Sequence, residues 1–473
     1  MGTVLLARRK FLCDSALVIG ASLTGTSARA VAPSVRPEWS EFKTGTHLTA
    51  LKNAIKKMKA NTNAADPGSW SYWVNIHLAN CPHTAPYFLA WHRGYLYHFE
   101  KRLRTVSGDA QLVLPYWNYY DYPTLPAEFT DPSASNPLYV QRENTNVRQA
   151  LDLSPFGSSV LNFPRGASQA FEAILEDAPH NPIHNIIGGV MADMQSPIDP
   201  IFWLHHANID RLWAAWTAAG GGRAMPATSA SYWTGNFSYA SNLTLARTLT
   251  CNNRTSLSYY YSNESMPTAL PRPAERTDRV VRVVSAPPAP PLLIETAEFA
   301  ISPARSVNAA TFAVVGANLV GLADQSIDVP IPVPSEHQMA LARIARGLPS
   351  ATLGRSERFK SIRLTFDKVA ATKNGLAGGY FYNIWVTVPG APEASPGVPV
   401  RVKVGTLGPF QISAANHHNM GRISYSITDL LSQFSPTEFA TLTVLFERVS
   451  GDNSPTGVVV KIGEARLEIT NEQ

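Results

Sequence analysis

The chain has 473 residues, enough for two or three domains, and its 45% hydrophobic and 16% charged residues are typical of folded globular proteins rather than disordered ones. The formal charge is +5, but residues 1–30 hold four basic side chains against one acidic one, so about +2 remains beyond them. No basic run or patterned Lys/Arg face follows, so neither nucleic acid nor a membrane surface is expected as a partner.

The N-terminal segment predicts an export signal. Arg8 and Arg9 precede Phe-Leu, a moderately apolar stretch and small residues up to Ala30, which is typical of a bacterial twin-arginine signal over residues 1–30. We therefore expect export to the periplasm or the medium, with the twin-arginine translocase as a partner. A short amphipathic helix is the alternative. No uninterrupted apolar run of about 20 residues occurs elsewhere, so stable membrane insertion is not expected.

Cysteines are few. Cys13 lies in the predicted signal, which leaves Cys81 and Cys251. Two cysteines do not make a disulfide framework, although a single disulfide between them stays open at this point.

Three segments have the periodicity of amphipathic helices: 48–60, 88–103 and 200–216. The stretch 119–165 is dense in Pro, Asn and Ser, which predicts long loops.

The amino-acid composition and the spacing of apolar residues both change beyond residue 264. Residues 265–293 are rich in proline, which predicts an extended linker. Residues 294–473 contain alternating, β-branched segments bounded by Gly, Pro, Asn and Asp, which predicts a mostly antiparallel β C-terminal domain. The predicted class is a multidomain α+β protein with a mainly α domain over residues 31–264.

Seven histidines form two groups in the predicted α domain: His77, His83 and His92, then His180, His184, His205 and His206. Any one of them alone is better explained as a hydrogen-bonded structural residue. His180 and His184 can face one side of a helix that Asn181 would cap and in which Pro182 occupies the first turn. An imidazole on an otherwise apolar helix face, as at His92 and His206, is costly unless it has a partner.

The grouping predicts metal binding. No carboxylate or cysteine quartet accompanies the histidines, which disfavours structural zinc and magnesium. Coordination by imidazole alone suits copper first, zinc second and iron third.

Three motifs carry a family resemblance: His77-x3-Cys81-x-His83-x8-His92, His180-Asn-x2-His184, and Asp199-Pro-Ile-Phe-Trp-Leu-His-His206-x3-Asp210. In this order they resemble the two copper-binding signatures of the tyrosinase and polyphenol oxidase family of type 3 copper proteins, and the match spans about residues 36–264. The resemblance implies a central four-helix bundle that holds a dicopper site.

The resemblance also implies roles for individual residues. Copper A would be bound by His77, His83 and His92, and copper B by His180, His184 and His206. Neighbouring residues would support these ligands: His205, Asp210 and Glu100. Adjacent helical positions diverge by about 100°, so only one residue of the 205–206 pair can point at the metal.

Cys81 matches the position at which fungal members form a thioether with the second copper A histidine. The resemblance therefore implies a bond between Cys81 and His83. Several bacterial relatives lack this cysteine, and a free thiol is the alternative.

The implied activity is copper-dependent oxidation of small phenols by O2, comprising ortho-hydroxylation of monophenols and oxidation of o-diphenols to o-quinones. In the family a glutamate and an asparagine hold a water that accepts the phenol proton, and Glu176 and Asn181 match their positions. Glu172 is the second choice, and a helix-surface charge is the structural alternative for Glu176. Asp193 and Met194 would lie near the substrate entrance.

Alternatives remain at this point. A catechol oxidase or o-aminophenol oxidase would lack monophenol hydroxylation, a hemocyanin-like oxygen carrier would bind O2 without turnover, and an exported β-domain adhesin would have only a structural metal. The C-terminal domain resembles a domain that shields the copper site in plant enzymes. A copper chaperone is a further candidate partner.

Overall fold

The structure is a computed structural model. It describes residues 32–272, 294–296, 300–308, 310–319, 321–348, 359–388, 400–418, 421–432, 434 and 440–471. The predicted signal over residues 1–30 and most of the predicted linker lie outside the described residues.

Helices dominate the N-terminal half, and three more lie in the C-terminal part. Their bounds are α1 Trp39–Phe42, α2 His47–Ala60, α3 Trp70–Asn80, α4 Phe88–Ser107, α5 Ala127–Thr130, α6 Phe171–Leu175, α7 Asn181–Ile187, α8 Ile201–Ala218, α9 Ser335–Ala345, α10 Pro409–His418 and α11 Thr428–Leu431.

The three helices predicted from periodicity are present as α2, α4 and α8, and α4 packs against both of the others. Helix α8 is buried around its whole circumference from Ile201 to Trp216, so it forms the centre of the helical region. A Cβ at Gly94 of α4 would lie 2.0 Å from the Tyr239 hydroxyl oxygen, so only glycine fits there. The predicted four-helix bundle stays a prediction.

Residues 119–165 contain only short elements, α5 and two 3₁₀ turns at Arg148–Ala150 and Ser154–Phe156, as the composition predicts. Among the helices that the structure describes, none is long and apolar enough to cross a membrane.

Strands dominate the C-terminal half. The strands are β1 Ser34–Arg36, β2 Asn236–Ala240, β3 Leu243–Ala246, β4 Tyr259–Tyr261, β5 Ile294–Thr296, β6 Ala300–Ser302, β7 Arg305–Ser306, β8 Thr311–Asn318, β9 Ser326–Pro332, β10 Ser361–Asp367, β11 Ala370–Ala371, β12 Tyr380–Val388, β13 Val400–Leu407, β14 Ile423–Ser426, β15 Thr441–Ser450, β16 Val460–Lys461 and β17 Glu464–Thr470.

Two larger sheets form the β-rich region. Their strand orders are β14-β10-β17-β8-β6, with β7 also paired to β8, and β13-β12-β15-β9-β5. Neighbours pair antiparallel except β5 and β9, so most of this region matches the prediction. Helices α9, α10 and α11 were not predicted.

Each region has its own hydrophobic core. The helical core also includes three residues from the β-rich region, Phe381, Phe410 and Ala414. Two of these lie on α10, so this helix is packed into the helical region and brings its side chains to the histidines described next.

Candidate metal centre

The first histidine cluster comes from two helices and the loop between them. His77 lies in the last turn of α3, His83 in the loop that follows, and His92 near the start of α4. The Nδ1–H of His77 donates to the Met194 carbonyl oxygen at 2.8 Å, and that of His92 donates to the Phe88 carbonyl oxygen at 2.8 Å. These bonds fix the rings and leave each Nε2 as a lone-pair donor.

The second cluster contains four histidines, His180, His184, His205 and His206. The Nδ1–H of His184 donates to the Met191 carbonyl oxygen at 2.7 Å, and that of His180 donates to the Asn181 side-chain oxygen at 2.9 Å. His180 precedes α7 as its N-cap, and Asn181 is the first helical residue, so the predicted capping role of Asn181 is wrong. The side chain of Asn181 instead orients the His180 ring.

The Nε2 atoms converge within each cluster. Those of His77 and His83 are 3.4 Å apart, and the Nε2 of His206 lies 3.3 Å from that of His180 and 3.4 Å from that of His184. Nitrogens that bind one ion at roughly 2.0–2.1 Å, with tetrahedral to trigonal angles, lie about 3.3–3.6 Å apart. The separations therefore fit an ion between the imidazoles, and lone pairs that face one another need such a cation.

The charge state of the rings also fits a metal. Burial lowers the pKa of all seven histidines in the two clusters below the usual value, and it lowers the pKa of His184 to about 3. The rings are therefore neutral at pH 7, and neutral imidazole is the form that binds metal. The buried Nε2 of His92 has no partner among the described residues, which an ion would supply.

The two clusters share one pocket. The rings of His92 and His206 stack with centroids 4.4 Å apart, and those of His83 and His180 stack at 5.6 Å. Two ions bound in these clusters would therefore be near neighbours.

His205 lies in the second cluster but has different surroundings from His206. Its ring stacks on His180 at 5.2 Å, and neither of its nitrogens has a hydrogen-bond partner within the described part of the chain. Its nitrogen lies within 4.8 Å of those of the other three histidines. The assignment of His206 rather than His205 as the ligand stays a prediction.

Cys81 lies next to the first cluster. It is 1% exposed, and its N–H donates to the His77 carbonyl oxygen at 3.1 Å as α3 ends. Burial raises the pKa of the Cys81 thiol well above its usual value. No disulfide joins Cys81 to Cys251. The thioether to His83 stays a prediction.

Glu176 lies against the first cluster. Its Oε1 accepts the Thr84 N–H at 2.7 Å and lies 3.4 Å from Nδ1 of His83, while Oε2 forms an ion pair with Arg165. Burial raises the pKa of Glu176, and Arg165 opposes that effect. Glu172 lies one turn earlier, where Tyr232 donates to it at 3.2 Å, and burial raises its pKa to about 7.

Asp210 and Glu100 lie in a buried ion-pair network. Asp210 accepts hydrogen bonds from Arg93, Tyr259 and Tyr261 at 2.6 Å each. Glu100 accepts from Arg36 at 2.8 Å. Neither carboxylate bonds to a clustered imidazole within the described ranges, so their contacts hold helices and strands together around the site.

Phe410 of α10 covers the second cluster, and the sequence analysis did not single it out. Its ring stacks on His184 with centroids 4.0 Å apart and meets His83 edge-on at 5.0 Å and His180 at 5.6 Å. The one local signal is Gly408-Pro409, a pair that suits a helix start. Nothing in that signal identifies where the helix packs.

Asn185, which directly follows His184, forms two hydrogen bonds with α10. Its side-chain oxygen accepts the Phe410 N–H at 2.8 Å, and its amide nitrogen donates to Gln411 at 2.7 Å. Asp193, predicted near the entrance, accepts the Ser413 hydroxyl at 2.9 Å. The α10 helix is therefore bonded to both ends of the segment that carries His184 and Met194.

Comparison with known proteins gives a family match over the part of the chain that carries both histidine clusters. The family model for the common central domain of tyrosinase matches residues 53–169 and 130–219. Tyrosinase HcTyr1 of Hahella sp. (strain CCB-MM4) is 32% identical over 251 residues, covering 39% of this chain and 53% of that protein. Catechol oxidase B, chloroplastic, of Solanum tuberosum is 29% identical over 237 residues, covering 37% of this chain and 40% of that protein.

The chain thus spans about half of the length, or less, of these two relatives. A structure of latent apple tyrosinase aligns over 96% of this chain and 100% of that one, with 18% identity and a TM-score of 0.49. The match thus lies in the central part of the chain: residues 53–219 contain the common central domain of tyrosinase, and the relatives matched there include a tyrosinase and a catechol oxidase.

Proposed function

We propose that the protein is a copper-dependent phenol oxidase of the tyrosinase type. The proposed ligands of copper A are His77, His83 and His92. Those of copper B are three histidines of the second cluster, His180, His184 and His206. The observation that carries the proposal is the pair of buried clusters, in which neutral imidazole nitrogens lie within 4.8 Å of one another. All-imidazole donor sets favour copper over zinc and iron.

O2 is the only oxidant that the overall reaction needs. Two o-diphenols and one O2 give two o-quinones and two waters, and one monophenol and one O2 give one o-quinone and one water. The bound coppers supply the redox chemistry and O2 activation. The chain holds the donors, excludes water and accepts the phenol proton.

Glu176 and Asn181 are the proposed proton-accepting pair. Asn181 uses its side-chain oxygen to orient His180, while its buried amide nitrogen has no partner among the described residues. That free donor, together with the Glu176 carboxylate beside His83, is suited to hold a water that takes the phenol proton.

A catechol oxidase is the second candidate, and the Arg165 ion pair favours it. Both Glu176 oxygens already accept hydrogen bonds, one from Thr84 and one from Arg165. A carboxylate that is ion-paired with an arginine is a weaker proton acceptor. Oxidation of an o-diphenol needs less help of this kind, so this enzyme would retain it.

We further propose that α10 keeps the enzyme in a covered state. Phe410 stacks on His184, where an aromatic substrate ring would have to approach copper B. Substrate entry then requires α10 to move, and the Asn185 bonds to Phe410 and Gln411 oppose that movement.

The proposal is tested by copper loading followed by assay of L-tyrosine beside L-DOPA. We expect two coppers per chain, quinone from L-DOPA, and slower quinone formation from L-tyrosine. Failure to bind copper would overturn the dicopper assignment. Copper binding and O2 uptake without turnover, in the Phe410→Ala variant as well as in the unchanged protein, would instead indicate an oxygen carrier. Turnover of L-DOPA or an o-aminophenol with none of L-tyrosine would select the second candidate.

A further inference from the structure

We infer that His417 and His418, at the end of α10, form a separate copper-capture site at the rim of the pocket, through which the ion passes to the six proposed ligands. This inference rests on the proposed function, because it assumes that the two buried clusters take copper. It assigns a role to two histidines that belong to neither cluster.

The His417–His418 pair has the composition of a metal site. The two rings lie with centroids 4.7 Å apart at an interplanar angle of 78°, and both side chains are exposed. Neither imidazole makes a hydrogen bond to another residue within the described ranges. His417 and His418 are the last two residues of α10, and their rings lie close enough for both imidazoles to reach one ion despite the adjacent positions. Two imidazoles completed by water suit a copper ion in transit, since water ligands exchange readily for further imidazoles.

The helix places the pair along the face that covers the pocket. His417 follows Phe410 by seven residues, or about two turns, so both lie on nearly the same face of α10. Ser413, between them on that face, donates to Asp193 at 2.9 Å, and Ala414 is part of the helical core. The face that begins with Phe410 over the second cluster therefore ends with His417 at the exposed rim.

The rim is close to the first cluster. Met194, directly after the Asp193 that Ser413 contacts, accepts the hydrogen bond from His77. An ion held by the pair would therefore be near copper A ligands.

Direct entry from solvent is obstructed. The six proposed ligands are between 0 and 2% exposed, and Phe410 covers the second cluster. An ion held first by exposed imidazoles can exchange its waters stepwise, and its local concentration beside His77 and His83 is raised.

The binding part is tested with the full chain already loaded with two coppers. Further Cu(II) is added, and bound metal is counted after gel filtration and followed by electron paramagnetic resonance. We expect a third Cu(II) with imidazole nitrogen couplings, which disappears in the His417→Ala/His418→Ala variant. The His47→Ala variant, which removes a histidine on α2, is expected to retain it. Third-ion binding that survives in the double variant would overturn the site.

The transfer part is tested by loading the metal-free chain with copper and following the quenching of tryptophan fluorescence, because Trp91 lies 5.0 Å from His92 between ring centroids. We expect the double variant to reach the same two-copper end point at a rate lower by on the order of tenfold. Equal loading rates would overturn the capture role even if the third ion is lost. If neither protein reaches two coppers, the proposed function itself has failed.

Discussion

The helical region and the β-rich region bury polar groups in opposite ways. In the helical region, burial lowers the pKa of seven clustered histidines, so the nitrogens that converge within each cluster are neutral lone-pair donors. In the β-rich region, buried charges pair internally: Arg466 bonds to Asp367 at 2.6 Å and to Glu464 at 2.8 Å. The first polar cluster needs a ligand to be complete, while the second is complete in itself.

This contrast indicates that the two regions have different roles. The helical region supplies every proposed metal donor, and the β-rich region supplies an apolar ring, Phe410, that covers them. Chemistry should therefore depend on the helical region alone, and access should depend on the β-rich region. Four substitutions test this difference in roles, and they run here from the largest expected effect to the smallest.

The largest effect is expected from His206→Ala. Loss of this ligand should remove the copper B ion and abolish phenol oxidation, because dioxygen activation needs both metals. The matched control is His205→Asn at the adjacent position, which should retain both coppers, with at most about a 10–100-fold loss in affinity. Metal analysis of the two purified variants checks this. Loss of copper in the His205 variant alone would transfer the ligand role to His205.

The second effect separates the two reactions within the helical region. Glu176→Gln removes the proposed proton acceptor and should lower monophenol hydroxylation by about 10²–10⁴-fold. Oxidation of o-diphenols should fall much less. The rates on L-tyrosine and L-DOPA are compared in this variant and in Glu172→Gln, which removes a carboxylate that makes no hydrogen bond to a clustered histidine among the described residues. An equal fall in both rates would mean that Glu176 only holds Thr84 and Arg165.

The third substitution is expected to raise the rate of phenol oxidation rather than lower it, because it removes the Phe410 ring that covers the second cluster. Phe410→Ala should raise the rate of o-diphenol oxidation by about tenfold or more, if the uncovered state is now a tenth or less of the population. Phe446→Ala, which opens a cavity in the core of the β-rich region, is the control for lost stability. Each change should cost about 3–5 kcal/mol in the free energy of unfolding. A similar rise in both variants would point to loosening of the whole region rather than to removal of a cover.

The two histidine clusters could be predicted from the sequence because their members lie in short local motifs. Helix α4 has a clear 3.6-residue periodicity, α8 is long and mostly apolar, and the histidines fall at fixed positions in three short motifs. The neutral state of the rings follows once these helices are known to be buried. The membership of each cluster could therefore be predicted before any tertiary contact was known, while the assignment of individual metal ligands stays a prediction.

The cover could not be predicted in this way because it depends on a long-range contact. Asn185 and Gln411 are 226 residues apart in sequence, and their hydrogen bond positions Phe410. The local sequence of α10 has no strong apolar face that would identify its partner. The Arg165 ion pair with Glu176 was missed for a related reason, since the segment before α6 is irregular.

The smallest effect is expected in the internally paired charges of the β-rich region. Burial opposes ionisation of Glu464, but hydrogen bonds from Arg305 and Arg466 lower its pKa from 4.5 to about 2. Because the folded-state pKa lies below the unfolded one, Glu464 stabilises the fold fully above about pH 4.5, and this contribution is lost as the pH falls towards 2.

Glu464→Gln should therefore lower the melting temperature at pH 7 by a few degrees, and the difference from the unchanged protein should shrink between pH 4.5 and 3. Glu336→Gln, at an exposed site on α9, should leave the melting temperature unchanged at every pH. The copper content and the covered state should be the same in both variants at pH 7, since neither residue approaches the histidines. A constant difference across the whole pH range would show that Glu464 acts through packing rather than through charge, and would weaken the contrast between the two regions.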